Sequence, residues 1–219
     1  MTKILAATLL LFVFASCKKS SSGTADKYMT LSAGSTWNYQ QTNAGTTSNY
    51  TVASTTRDST INGKVYHVFT NTGGPNQYFN ITGTSYYQFD SIKLAGASQS
   101  IDRLYLQDDA AVNGGWAQTI AFVVPGLPLP GGVPVTITNT VTEKGISRTV
   151  NGIVYTDVIH VKTALASSLI PAASLTTSID TYYARKYGLI ENTTVISLSF
   201  MGIVNNVNTS IKLMSANLL

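Results

Sequence analysis

The chain has 219 residues, a length suited to one domain or at most two. Only 11% are charged, under half the usual share, while 30 Thr and 22 Ser make hydroxyls the main polar element. An apolar share of 44% excludes wholesale disorder, a single Cys excludes a disulfide scaffold, and two Glu in all exclude a helical bundle or coiled coil.

The first segment reads as an address. One early cation, Lys3, precedes an apolar run from Ile4 to Ala15 and then Ser16-Cys17. That is the pattern of a secretory leader, and the run is shorter than the ~20 residues a spanning helix needs. Phe14-Ala15-Ser16-Cys17 resembles the lipobox of bacterial lipoproteins, with Phe14 in place of the usual Leu. The resemblance implies removal of residues 1–16 and acylation of Cys17. An ordinary leader that contains a Cys is the alternative, but acylation also disposes of an otherwise unpaired exported thiol. Two or more acyl chains hold a protein stably on a bilayer, where one chain is marginal. Residues 17–27, with Lys18-Lys19 and a Ser-Gly-Thr run, form a polar tether. Without the leader and these two lysines the body carries only +1, so the charge gives no argument for nucleic acid.

Residues 28–219 read as one all-β domain. Short stretches rich in Thr, Tyr, Val and Ile alternate with Gly, Asn and Pro turns. The expected strands are 36–41, 48–57, 64–70, 77–81, 85–90, 101–107, 116–123, 133–142, 153–163, 177–186, 189–200 and 203–214. Val135, Ile137, Asn139 and Val141 should face a core, and the intervening Thr residues solvent. Asn62-Gly63, Asn151-Gly152 and Gly83 mark tight hairpins. Thr60–Tyr66 matches Thr149–Tyr155 at a displacement of 89 residues, through duplication or through two hairpins reaching one turn solution. The stretch 163–173 has room for one short helix before Pro171, or for a loop. Segment 123–135 carries Pro125, Pro128, Pro130 and Pro134, which bar it from a central strand. Leu127, Leu129 and Val133 are candidate rim residues of an apolar pocket, or parts of a connector packed on the domain's own core.

Two motifs carry a further resemblance. Gly34-Ser35-Thr36-Trp37-Asn38-Tyr39 opens the domain, and Tyr182-Tyr183-Ala184-Arg185-Lys186-Tyr187-Gly188-Leu189-Ile190 precedes the last strand pair. With Cys17-Lys18-Lys19 they resemble Bacteroidetes-type envelope lipoproteins, whose β domain is similar to the half-barrel of the LolA/LolB lipoprotein carriers. That resemblance implies a single curved antiparallel sheet, a half-barrel or open barrel, on the outer membrane, in either leaflet. Acids adjoining the lipidated Cys are tied to surface export in that group, and here the first is Asp26.

Signatures of catalysis are missing. There is no Gly-x-Ser-x-Gly elbow, phosphate loop or Gly-x-Gly-x-x-Gly. His67 and His160 stand 93 residues apart without partners at metal-ligand spacing, so each reads as structural and no metal or cofactor is expected. Asp58-Ser59-Thr60 and Asp90-Ser91-Ile92 resemble the O-glycosylation sequon of Bacteroidetes-type exported proteins, making Ser59 and Ser91 candidate acceptors. An aromatic platform of Trp37, Tyr86, Tyr87, Tyr182 and Tyr183 is a functional alternative to plain packing. The expectation is a lipid-anchored, non-enzymatic binding or structural module that meets the membrane through its anchor and an unidentified protein or apolar ligand through its sheet. The alternative is a carrier or sensor holding an apolar molecule in the concave face.

Overall fold

The computed structural model describes residues 26–94, 97–123 and 131–219. Twelve strands run in chain order: β1 Thr36–Asn43, β2 Thr46–Ile61, β3 Lys64–Asn71, β4 Gln77–Thr82, β5 Ser85–Leu94, β6 Ala97–Gln107, β7 Gly115–Phe122, β8 Val133–Val150, β9 Ile153–Ala166, β10 Leu175–Ala184, β11 Gly188–Phe200 and β12 Ile203–Asn217. Of the helix or loop open for 163–173, the helix does not form. β9 runs through Ala166 with Thr163 and Leu165 turned in and Ala164 and Ala166 out, and one turn of 3-10 helix remains at Ala172–Ser174. Both Asn-Gly hairpins form with two-residue turns. Asn62 and Gly63 have φ 51° and 78°, and Asn151 and Gly152 have φ 50° and 79°, the doubly positive turn that matches strand twist. They join β2 to β3 and β8 to β9, six strands apart in the barrel.

The strands form one antiparallel sheet in the order β6-β5-β4-β3-β2-β1-β12-β11-β10-β9-β8-β7. Apart from β6 and β7, consecutive strands pair with each other, and the first and last strands pair through eight register partners from Thr36↔Asn217 to Asn43↔Thr209. The result is a nearly closed meander barrel with its seam at mid-chain, between β6 and β7. No backbone ladder joins these two. Instead Trp116 Nε1 donates to Leu104 O at 2.7 Å, and Gln118 Nε2 to Asp102 O at 3.0 Å. Side chains thus satisfy carbonyls that a neighbouring strand would otherwise take.

Strand period 2 sorts the faces. On β8, Val135, Ile137, Asn139 and Val141 are buried, as expected. The outward positions of β11 and β12 are mostly polar, including Thr193, Ser197, Ser199, Asn206, Asn208 and Lys212. Apolar inside with hydroxyl and amide outside is the reverse of a barrel that faces lipid. Among the described residues, no helix is long and apolar enough to cross a membrane.

One end of the barrel is filled. The segment before β1 lies across it: the Tyr28 N–H donates to the Tyr86 hydroxyl (3.0 Å), Met29 bridges Tyr187, and the Lys186 N–H donates to Lys27 O. Above it the two sequence motifs meet. Trp37, 1% exposed, donates its indole N–H to Tyr187 O (2.8 Å), and the Tyr39 hydroxyl donates to Leu189 O (3.0 Å). Rings then cross the base from Trp37 to Phe69, Phe79, Tyr105 and Tyr183, with centroids 5.0–6.0 Å apart. Such pairs contribute ~0.5–1.5 kcal/mol each beyond area burial. Gly188 turns the β10–β11 corner at φ +72°, and a Cβ there would meet only ordinary contacts, so backbone conformation and not space requires glycine.

A polar clasp pins the outer edge of this base. Asp157 accepts from the Tyr28 hydroxyl (3.0 Å) and from Arg185 Nε, and the Arg185 guanidinium lies 4.7 Å over the Tyr28 ring. Arg185, with the Tyr28 hydroxyl aiding and burial opposing, holds the Asp157 carboxyl below the usual carboxylate range. A lowered folded value gives stability that is present above the unfolded value of ~3.9 and lost as the pH falls through the folded one. Both partners are partly exposed, which limits the contribution to ~1 kcal/mol. Asp157→Asn should therefore cost about that much near neutral pH, and the gap to wild type should close in acid, as the pH falls through the lowered Asp157 value. Urea unfolding at neutral and acid pH checks this; a gap independent of pH would contradict it.

Candidate functional site

Above the aromatic base the barrel is hollow. A cavity of about 440 Å³ occupies the lumen, reached by side chains from every strand except β3 and β7. This lies within the ~300–1,000 Å³ typical of small-molecule sites. Its floor is Tyr39, Tyr105 and Tyr183, whose hydroxyls burial pushes up, that of Tyr183 to about 12 with Arg103 opposing. Aliphatic walls come from Ile137, Leu165, Ile179, Ile196 and Ile211. Beside them, Phe122, Val133, Val135, Ile170, Leu175 and Leu198 make a second buried cluster, away from the base.

A polar band interrupts these walls. Thr163 Oγ1 donates to Asn139 Oδ1 (2.7 Å), and Asn192 Nδ2 to Thr181 Oγ1 (2.9 Å), so these two pairs satisfy one another. The third group is charged. Gln88 and Arg103 are register partners on β5 and β6, and Arg103 Nη2 donates to Gln88 Oε1 at 2.7 Å. The Asp90 carboxylate is 3.7 Å from the same nitrogen, beyond hydrogen-bond distance, and accepts instead from the Ser91 N–H at 2.7 Å. Arg103 and Asp90 are the charged side chains of the cavity lining.

Two histidine constellations lie outside the cavity lining. His67 joins Ser54 (Nε2···Oγ 3.0 Å) to Asp58 (Nδ1···Oδ1 2.9 Å), the connectivity of a nucleophile triad that no sequence motif announced. The Ser54 hydroxyl, however, donates to Leu31 O at 2.8 Å, Ser54 is 4% exposed, and it does not border the cavity. Its hydrogen ties the N-terminal segment to β2. His160, buried on the outer face, sits between Glu143 (2.9 Å) and Asp180 (2.8 Å) and stacks on Tyr182 at 4.1 Å. Arg148 covers the Tyr182 ring at 3.4 Å and bonds Glu191 at 2.6 Å. This network cross-links β8 to β11. Among the described residues, no group of three or more His, Cys, Asp or Glu could hold a metal.

The residues singled out from sequence scatter. Cys17, Leu127 and Leu129 lie outside the described residues. Val133 is buried in the second cluster with Phe122 and does not line the cavity. Ser59 lies half-buried in β2 opposite Tyr66, and Ser91 is exposed in β5 with its hydroxyl 2.6 Å from Ser98; both strands run past the ends expected for them. The aromatic platform divides: Trp37, Tyr86 and Tyr183 join the core, while Tyr87 and Tyr182 face outward, under Lys64 and Arg148. Sequence reading missed the lumen's polar set, Gln88, Asp90 and Arg103. The period-2 spacing of Tyr86, Gln88, Asp90 and Ile92 was the available signal.

No protein-family model matches the chain, and a search of curated proteins returns no match. A solved structure of a candidate lipoprotein from Parabacteroides distasonis ATCC 8503 is similar to it at 9% identity and a TM-score of 0.47, over 88% of this chain and 99% of that one.

Proposed function

We propose that this chain is a lipid-anchored, non-enzymatic envelope protein whose barrel takes a small, largely apolar molecule into its lumen, as a carrier or sensor. The observation that carries the reading is the hollow half of the barrel: about 440 Å³ walled by aliphatic and tyrosine side chains above a rigid aromatic base. An interior filled by its own side chains would have supported a purely structural part. The polar outer face fits a body held at a membrane by a tether and not by its strands. The Cys17 lipobox supplies that tether, and the resemblance to Bacteroidetes-type envelope lipoproteins points to the outer membrane as its address. The Ser54 hydroxyl, bonded to Leu31 O and away from the lumen, has no part in this reading.

Filling the lumen tests the ligand reading. Nile red, a neutral apolar dye, should bind saturably to wild type, and Ile179→Trp, which projects into the cavity, should weaken it at least ~tenfold. Val195→Trp, outward on β11 and 42% exposed in wild type, should leave binding unchanged. Equal binding by all three would contradict a luminal site. Separately, Cys17→Ala should shift the protein from the membrane to the soluble fraction, and labelled palmitate still incorporated by that variant would refute the anchor.

A further inference from the structure

The charged group of the lumen has unfilled hydrogen-bonding capacity. A guanidinium carries five N–H donors. Among the described residues Arg103 makes one hydrogen bond, from Nη2 to the neutral Gln88 amide. Its Nε is buried without an acceptor, and Nη1 donates to no described residue. The nearest carboxylate, Asp90, stands at 3.7 Å with one oxygen engaged by its own backbone. A cation so placed has Asp90 as the one charged neighbour on the lining, 3.7 Å away and not hydrogen-bonded to it. An orphan donor of this kind in a native structure calls for a partner, whether a ligand, an ion or a water.

From this geometry we infer that the lumen binds an amphipathic carboxylate, its head group on Arg103 and its apolar body along Ile137, Leu165, Ile179 and Ile196. The inference rests on the luminal reading above and adds the head-group chemistry. The planar fork of Arg103 suits a carboxylate, which accepts two parallel N–H bonds. Gln88 fixes the fork by holding Nη2, since the two residues are register partners across β5 and β6. Asp90 acts against the ligand: its charge repels an incoming carboxylate and sets the affinity below what Arg103 alone would give. The four aliphatic residues come from β8, β9, β10 and β11, four consecutive strands on the other side of the β6–β7 seam from Arg103. A neutral molecule of the same shape would fill the same wall and leave Arg103 unmatched.

The test displaces bound Nile red with sodium dodecanoate or with methyl dodecanoate, which differ in the charge of the head group. Wild type should release dye at an at least ~tenfold lower concentration of the acid than of the ester. Arg103→Gln should bring the two within ~twofold while dye binding persists, and Asp90→Asn should widen the gap beyond wild type. An acid no better than its ester in wild type, or a preference that survives Arg103→Gln, overturns the head-group assignment while dye binding leaves the luminal reading standing. Failure of wild type to bind dye, ester and acid, the acid also by direct calorimetry, defeats both. Should Arg103→Gln not fold, Asp90→Asn still decides, because Asp90 stands 3.7 Å from Arg103 and its removal strengthens the acid arm alone only when the head group sits beside that pair.

Discussion

Two hydrogen bonds across 150 residues of chain organise this molecule: Trp37 Nε1 to Tyr187 O and the Tyr39 hydroxyl to Leu189 O. They join the first strand to the β10–β11 corner through the barrel interior, while the ladder between β1 and β12 joins the termini through the wall. Each buried carbonyl left without its donor would cost ~1–3 kcal/mol. Both donors sit on rings that also fill the base, so packing and polar satisfaction depend on the same two residues. The Tyr28–Asp157–Arg185 clasp and the Ser54–Leu31 bond then hold the preceding segment beneath them.

This arrangement divides the lumen by side-chain size. Inward positions near the base carry Trp37, Tyr39, Phe69, Phe79, Tyr105 and Tyr183, whose rings touch across the barrel. Farther up, the inward positions shorten to Asn139, Thr163, Thr181 and Thr194, which cannot meet across the same width. A barrel of twelve strands is too wide for such residues to fill, because diameter grows with strand number. The cavity follows from strand count and residue size together. Its charge then follows from Arg103, held on one of the two strands whose other edge lacks a ladder.

Much of the fold was legible in the sequence. The Val135–Val141 alternation predicted which face of β8 is buried, and Asn62-Gly63 and Asn151-Gly152 predicted their turns, because period 2 and positive φ are local properties. The helix expected near Ala164–Ile170 failed because a strand end with small residues on one face mimics a short apolar run. The motifs around Trp37 and Gly188 were visible, but their contact was not, since spacing along a chain says nothing of a meeting across a barrel. The site was the least legible part. On β5, Tyr87 and Phe89 look like the core face and Gln88 and Asp90 like the solvent face, yet the sheet turns the polar pair inward while Phe89 packs outside against Tyr66 at 5.9 Å. Hydrophobicity is a poor guide to direction where the interior is itself partly wet.

The central claim is that a locked aromatic base supports a hollow barrel whose weak joint is the β6–β7 seam. Residue-resolved hydrogen exchange tests it most directly. The Trp37 indole N–H and the amides of Tyr39, Tyr183 and Ile190 should exchange only through global unfolding, while β6 and β7 amides facing the seam exchange much faster. A Trp37 indole that exchanges as readily as the seam, or seam amides as protected as those between β1 and β12, would contradict the account.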